Sequence, residues 1–292
     1  MNKQKTGQLL AAAVFAATTG LGGTAVAAET DPAGTAPSET GGVQPVPHAV
    51  DPARTSGPAA SPLADHYTLP APVKGGGAST ESVIGSDGRT QVTNTTSAPS
   101  SSIVQIEFNA GSICSGALIS DDTVLTAGHC VHRGGTGSAA DYSWGIRVAP
   151  GRNGSSDPYG SCGATELYTD QRWIDSANTN ADWGVIKLNC TVGNAAGWLG
   201  YTGTTNSLYG STATVRGYPG DKPRGTMWTM TGSVSSTQAE KVFYTMDTNG
   251  GQSGAPVYNS STSIVAVHTN GGSTNSGTRI TPALAGYLDT VR

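Results

Sequence analysis

Charge is scarce in this 292-residue chain: Asp, Glu, Lys and Arg make up 12% of it, and aromatic residues 6%. No basic run occurs, and over residues 82–292 the 12 Lys and Arg face 14 Asp and Glu, a net −2. Nothing here would neutralise a phosphate backbone or an anionic leaflet, so neither nucleic acid nor a membrane is an expected partner. Beyond the N-terminal segment no apolar stretch reaches the roughly 18 residues a spanning helix needs. Cysteine is limited to four residues, with no Cys-x-x-Cys and only His129 adjoining a cysteine. That disfavours zinc, and no metal or cofactor is expected. Convincing helical periods are missing from nearly the whole chain.

What is present begins with Lys3 and Lys5 ahead of an alanine-rich apolar run, Leu9 to Ala17, and a small-residue site at Ala25-Val26-Ala27. This is the layout of a secretory signal, so residues 1–27 are expected to be removed and the protein exported. Residues 28–81, rich in Ala, Pro, Gly, Ser and Thr, show neither a strand nor a helical period. They bury too little surface to offset their ordering entropy and read as a disordered, low-complexity propeptide containing His48 and His66. Residues 82–292 form the folded domain, expected to act as a monomer. Its cysteines, Cys114, Cys130, Cys162 and Cys190, are an even set in an exported protein. They imply two disulfides with three pairings open, the neighbour pairing Cys114–Cys130 and Cys162–Cys190 being preferred. Short β-branched runs such as "TVLTAG", "WGVIKL", "TATVRGY" and "IVAVHT" predict an all-β sandwich or barrel. Thr281-Pro282 predicts one terminal helix over about 282–291, with Leu284, Leu288 and Val291 on one face.

The stretch "NGGQSGAPVYN" sets Ser253 among glycines. A serine hydroxyl is a poor nucleophile unless a neutral imidazole stands within hydrogen-bond reach. His129, in "TVLTAGHCVH", follows an apolar strand and two small residues, whereas His132 lies past them and reads as surface. The third member must be a carboxylate that orients the imidazole. Asp182 opens the apolar strand "DWGVIKL", where an unpaired charge would be costly. Asp175, the rival, lies in the polar stretch "RWIDSANTN". The order His129, Asp182, Ser253 excludes the α/β-hydrolase and subtilisin arrangements.

With that order, "LTAGHC", "DWGVIKL" and "GGQSGAP" resemble the three catalytic blocks of chymotrypsin-like serine peptidases. The resemblance implies two six-stranded antiparallel β-barrels, about 90–190 and 200–280, with the site in the cleft between them. It implies that Cys114–Cys130 closes the loop carrying His129, and that the backbone N–H groups of Gly251 and Ser253 form an oxyanion hole. "SVIGSDGRTQV", "RGYPGDK" and "YTMDTNGGQSGAPV" further resemble secreted bacterial glutamyl endopeptidases. That family holds a P1 glutamate on a histidine fifteen residues after the nucleophile and a threonine five before it, here His268 and Thr248. Thr269-Asn270-Gly271 would then pair with the backbone of a polypeptide substrate.

Two residues depart from the wider pattern. Asp247 stands where trypsin-like enzymes place the acid that binds Arg or Lys, so a trypsin-like specificity is the alternative; an inactive binding module is a second. For a glutamate pocket, Asp247 must be turned aside or neutralised by a neighbouring cation. Neutral Gln252 cannot form the ion pair with a new N-terminus that animal enzymes use. The resemblance implies that the new N-terminus approaches the S1 pocket instead. Glu81 directly precedes the family-like start at Ser82. A glutamate-specific enzyme could therefore cut its own Glu81–Ser82 bond, exposed in flexible sequence.

Overall fold

The computed structural model describes residues 42–54, 82–109 and 111–292; the expected signal, most of the expected propeptide and Glu81 lie outside them. The strands β1 (Pro45–Ala49) and β2 (Thr90–Val92) precede a first set of six. These are β3 (Ile103–Glu107), β4 (Ile113–Leu118), β5 (Thr123–Thr126), β6 (Arg147–Pro150), β7 (Cys162–Asp170) and β8 (Gly184–Leu188). A second set follows: β9 (Thr212–Gly217), β10 (Met227–Thr237), β11 (Lys241–Tyr244), β12 (Pro256–Asn259), β13 (Ile264–Asn270) and β14 (Asn275–Arg279). Of three short helices, α1 (Gly128–Val131) and α2 (Gln171–Ser176) lie between β5 and β8, and α3 (Gly193–Ala196) follows β8; α4 (Pro282–Val291) ends the chain.

The first sheet runs β7-β6-β3-β4-β5-β8, and β8 returns to pair with β7. The second runs β11-β14-β13-β12-β9-β10, with β10 returning to β11. Each set thus closes into a six-stranded antiparallel barrel, which removes the sheet edges. Closure with cover on both sides explains the imperfect alternation of "IVQIE": Ile103, Val104, Gln105 and Ile106 are all fully buried. The apolar core of the first barrel continues into α4 through Leu284 and Leu288. Thr281 caps that helix as expected, its Oγ1 accepting from Leu284 N at 3.1 Å. A separate cluster including Val215, Val242, Tyr244, Val257 and Ala266 fills the second barrel. Each fully buried side chain of this size contributes about 1.5–3 kcal/mol.

Two segments differ from the expectation. Residues 42–54 carry β1, which pairs antiparallel with the outer half of β7, from Pro45↔Asp170 to Ala49↔Glu166. His48, expected in disordered sequence, stacks on Tyr142 with ring centroids 4.1 Å apart. The composition concealed this strand because Pro45 and Pro47 read as breakers. Gln44 and Val50 make backbone bonds to Gln171 and Thr165, so the intervening prolines occupy positions that need no donor toward β7. Residues 90–92 also leave the first barrel: β2 pairs with β10 of the second, Met227↔Val92 to Thr229↔Thr90.

Candidate active site

The pairing of β5 with β8, Thr126↔Gly184 at its end, brings together two chain segments more than fifty residues apart. His129 lies in α1 just past β5, and Asp182 just before β8. Asp182 is only 1% exposed. Its Oδ1 accepts from the His129 backbone N–H at 2.9 Å, and its Oδ2 meets His129 Nδ1 at 2.9 Å. This two-point contact fixes the imidazole plane. Burial alone would raise the Asp182 pKa, but the charge and hydrogen bonds of His129, with the charge of Lys241, outweigh it and hold the carboxyl below its ordinary range. Gly128 makes the approach possible, since a Cβ there would stand 2.9 Å from Thr169 Oγ1 and 3.0 Å from Asp182 Oδ1. Asp175 is exposed on α2, where Gln171 Nε2 donates to it at 2.6 Å, and plays no part in this contact. His132, expected at the surface, is fully buried, with Nδ1 accepting from Gly134 N at 2.9 Å and Nε2 2.9 Å from Ser138 O. Its neighbours are packing partners that no local pattern displayed.

Ser253 lies between β11 and β12, on the turn that enters the second barrel's hairpin. Its carbonyl accepts from Ser115 N at 2.8 Å and lies 3.7 Å from Cys130 Sγ. The serine is thereby seated against the disulfide that adjoins His129. Both cysteine pairs are the expected neighbours, Cys114–Cys130 and Cys162–Cys190, with Cα atoms 6.3 and 6.0 Å apart. Gly251 has φ +97°, and a Cβ on it would come 2.6 Å from Tyr218 O. Gly250 O accepts from Gly220 N at 2.6 Å. In a planar trans peptide this directs the Gly251 N–H the opposite way.

The β12–β13 hairpin places His268 beside the serine. Gly254 N donates to His268 O at 2.8 Å, and His268 N to Ala255 O at 2.9 Å. His268 is fully buried, with Nδ1 2.6 Å from the Tyr244 hydroxyl. Burial, then the charges of His129 and Lys241, push its pKa down to about 3, so it is neutral at physiological pH. Thr248 is also fully buried, and its Oγ1 has no hydrogen-bond partner among the described residues. Thr269 and Asn270 turn their side chains inward: Thr269 Oγ1 and Asn270 Oδ1 each accept from Lys241 Nζ at 2.9 Å. Only their backbone, continued by the half-exposed Gly271, is left to meet an extended chain.

Asp247 is turned aside. Its Oδ1 accepts from Ile84 N and its Oδ2 from Gly88 N, each at 2.7 Å, so backbone amides rather than a cation hold it. Thr248 N donates to Ser82 O at 3.2 Å, and Ser82 N to Asn275 Oδ1 at 3.1 Å. Gln252 Oε1 accepts from Asn249 N at 3.1 Å and from buried Arg89 at 3.3 Å. Arg89 also forms ion pairs with Asp87 and Asp221 at 2.9 and 2.6 Å. Asp247, out of place in a glutamate pocket, and Gln252, which replaces the animal enzymes' acid, therefore both anchor residues 82–89.

The family described as "Trypsin-like peptidase domain" matches residues 114–267. The chain belongs to the trypsin-like peptidase family. It is 48% identical over 215 residues to "Glutamyl endopeptidase" of Bacillus licheniformis, covering 70% of this chain and 66% of that protein. It is 45% identical over 213 residues to "Extracellular metalloprotease" of Bacillus subtilis, covering 68% and 66%. The chain thus spans just under two thirds of these relatives' length. A solved structure, "Structure of Glu endopeptidase in complex with MPD", aligns with 38% identity and a TM-score of 0.67, over 72% of this chain and 98% of that one.

The name of the second relative raises a metal, and the donor set of this trypsin-like peptidase does not fit one. Among the described residues one group of ligand types converges, Cys114, His129 and Cys130. Its cysteines are joined in a disulfide, which leaves a single imidazole. Sequence reasoning missed Lys241, Tyr244, Arg89 and Trp173 around the site. Trp173, whose ring lies 6.2 Å from that of His129, is buried and donates Nε1–H to His132 O at 2.8 Å. Only Lys241 carried a local signal, as a charge opening the otherwise apolar strand "KVFY".

Proposed function

We propose that this protein is a secreted serine endopeptidase that cleaves polypeptides after glutamate and, less readily, aspartate. His129 takes the Ser253 proton as the hydroxyl attacks the carbonyl carbon, and returns it to the leaving amine. Asp182 holds His129 at its backbone N–H and at ring Nδ1, and stabilises the imidazole once protonated. The Gly251 and Ser253 N–H groups receive the oxyanion. Water then hydrolyses the acyl-enzyme by the same proton route. The P1 carboxylate binds Thr248 Oγ1 and the His268 imidazole, while Thr269, Asn270 and Gly271 pair with the substrate backbone. The observation that carries the reading is the buried Thr248–His268 pair beside Ser253, with Asp247 committed to Ile84 and Gly88. An Arg side chain in this pocket would meet no available carboxylate from Asp247.

The decisive experiment digests a denatured protein mixture and reads the cut bonds by mass spectrometry. Cleavage after Glu, abolished by Ser253→Ala, is expected; cleavage after Arg and Lys would overturn the specificity. A hydroxyl-reactive organophosphate should label Ser253, and failure of matured protein to react would favour a binding module. Processing belongs to the same proposal: removal of residues 1–27, then a cut at Glu81–Ser82. The Ser82 ammonium would arise where Ser82 already contacts Thr248 and Asn275, next to the pocket.

A further inference from the structure

We propose that Lys241 is a specificity-determining residue: its buried ammonium is the fixed charge against which the pocket balances a substrate carboxylate. The inference rests on the glutamate reading above. Lys241 opens β11 and is only 4% exposed. Its Nζ donates to Thr269 Oγ1 and Asn270 Oδ1 at 2.9 Å and to Thr278 Oγ1 at 3.4 Å, all uncharged acceptors. Among the described residues no carboxylate stands within ion-pair distance. Neighbouring Glu240 is taken by Arg172 at 2.8 Å, and Asp182 by His129. A buried cation bonded only to neutral groups is expensive unless its field is used, and two of its three anchors directly follow His268 in the substrate-facing strand.

The pocket needs such a charge. His268 is neutral, so it can offer a dipole but no countercharge, and Asp182 already places one anion in the same interior. A glutamate entering would meet like charge unless a cation offset it. In the acylation transition state the protonated His129 offsets Asp182, which leaves the Lys241 field to the P1 group. Lys241 is present before and after any processing at Ser82. Burial lowers its pKa to about 8, against the raising influence of Asp182 and Glu240; its own charge acts in turn on Asp182 and His268. It is therefore charged at neutral pH and close to losing its proton above it.

The test uses the matured full-chain product and two peptides that differ only in Glu or Gln at P1, read as the ratio of kcat/KM. Lys241→Met should lower the Glu/Gln ratio by at least 30-fold while Gln cleavage changes by less than threefold. Lys241→Arg should retain most of the ratio. Between pH 7 and 9.5 the ratio of the unsubstituted protein should fall more steeply than that of Lys241→Arg. The Ser82 amine titrates in both, so the difference belongs to Lys241. This arm decides the matter if Lys241→Met fails to fold. Equal losses on Glu and Gln, an unchanged ratio, or identical pH slopes would overturn the role of Lys241. Equal cleavage after Glu and Gln by the unsubstituted protein would overturn the glutamate reading, and the inference with it.

Discussion

Asp182 and Asp247 are both 1% exposed, and their partners make them opposites. Asp182 faces an imidazole; Asp247 faces two backbone amides. Asp182→Asn should leave KM nearly unchanged but lower kcat by about 10⁴, because the amide favours the wrong His129 tautomer. Steady-state kinetics on one Glu substrate checks this, and Asp175→Asn should change nothing. His268 gives a pH signature. Its native pKa of about 3 lies below the ordinary 6.5, so between those values the unfolded chain binds a proton that the native state refuses. Stability is complete above about pH 6.5 and is lost as pH falls toward 3, by roughly 2 kcal/mol from pH 7 to 5. Urea unfolding of Ser253→Ala protein at both pH values should show this loss, reduced by that amount when His268→Val is added. The identities of His129, Asp182 and Ser253 were legible as residue types in characteristic settings. Lys241 showed only as a charge opening an apolar strand; its importance comes from two hydroxyls and an amide oxygen on two other strands.

Among the elements, the segment from Ser82 to β2 is the least self-sufficient. Its backbone bonds to the rest of the chain go to Asp247, Thr248, Asn275 and β10, all in the second barrel. A hydrogen bond to a charged group contributes about 1.5–3 kcal/mol net of what water would return. Losing both bonds, Asp247→Ser should therefore lower Tm by about 6–24 °C, taking about 2–4 °C per kcal/mol for a domain of this size. It should also weaken Glu cleavage without creating Arg cleavage. Calorimetry and paired P1 substrates measure both, and collapse of a pre-existing Arg cleavage on this substitution would sink the assignment. The element itself was unreadable in sequence: "SVIGSDGRTQV" displays its start and its polar turn, but not that β10 is its partner.

For the whole molecule, the question is how folding and processing are coupled. β1 covers the outer half of β7, with Val43, Val46 and Val50 against the first barrel's core and the Tyr142 hydroxyl donating to Val46 O at 3.1 Å. Val46→Asp should lower the Tm of the unprocessed chain by several degrees and leave the matured product unchanged, since the proposed cut detaches residues 42–54. Differential scanning calorimetry of both forms distinguishes the outcomes, and an equal effect on the two would mean that β1 stays bound. Purified Ser253→Ala precursor should fail to generate a Ser82 N-terminus, be rescued by active protein, and resist it when Glu81→Gln is added. N-terminal sequencing reads all three; spontaneous maturation of the inactive precursor would refute self-processing.

The sequence by itself determined the features that depend on neighbours in the chain. These are the short β-branched strands of an all-β fold, the capped terminal helix, an even set of four cysteines, and a His, an Asp and a Ser each in a distinctive local setting. Periodicity, turn residues and spacing are local quantities, and a sequence displays them directly. Only the tertiary structure decided what each buried charge meets. Asp247 closes on amides about 160 positions away, Arg89 reaches Asp221, and Lys241 finds Thr269, Asn270 and Thr278. It also decided that a proline-marked segment becomes β1, because an edge position forgives the donors that proline lacks. Such partners follow from strand register and barrel closure, which no stretch of residues specifies until the two ends of the contact are brought together.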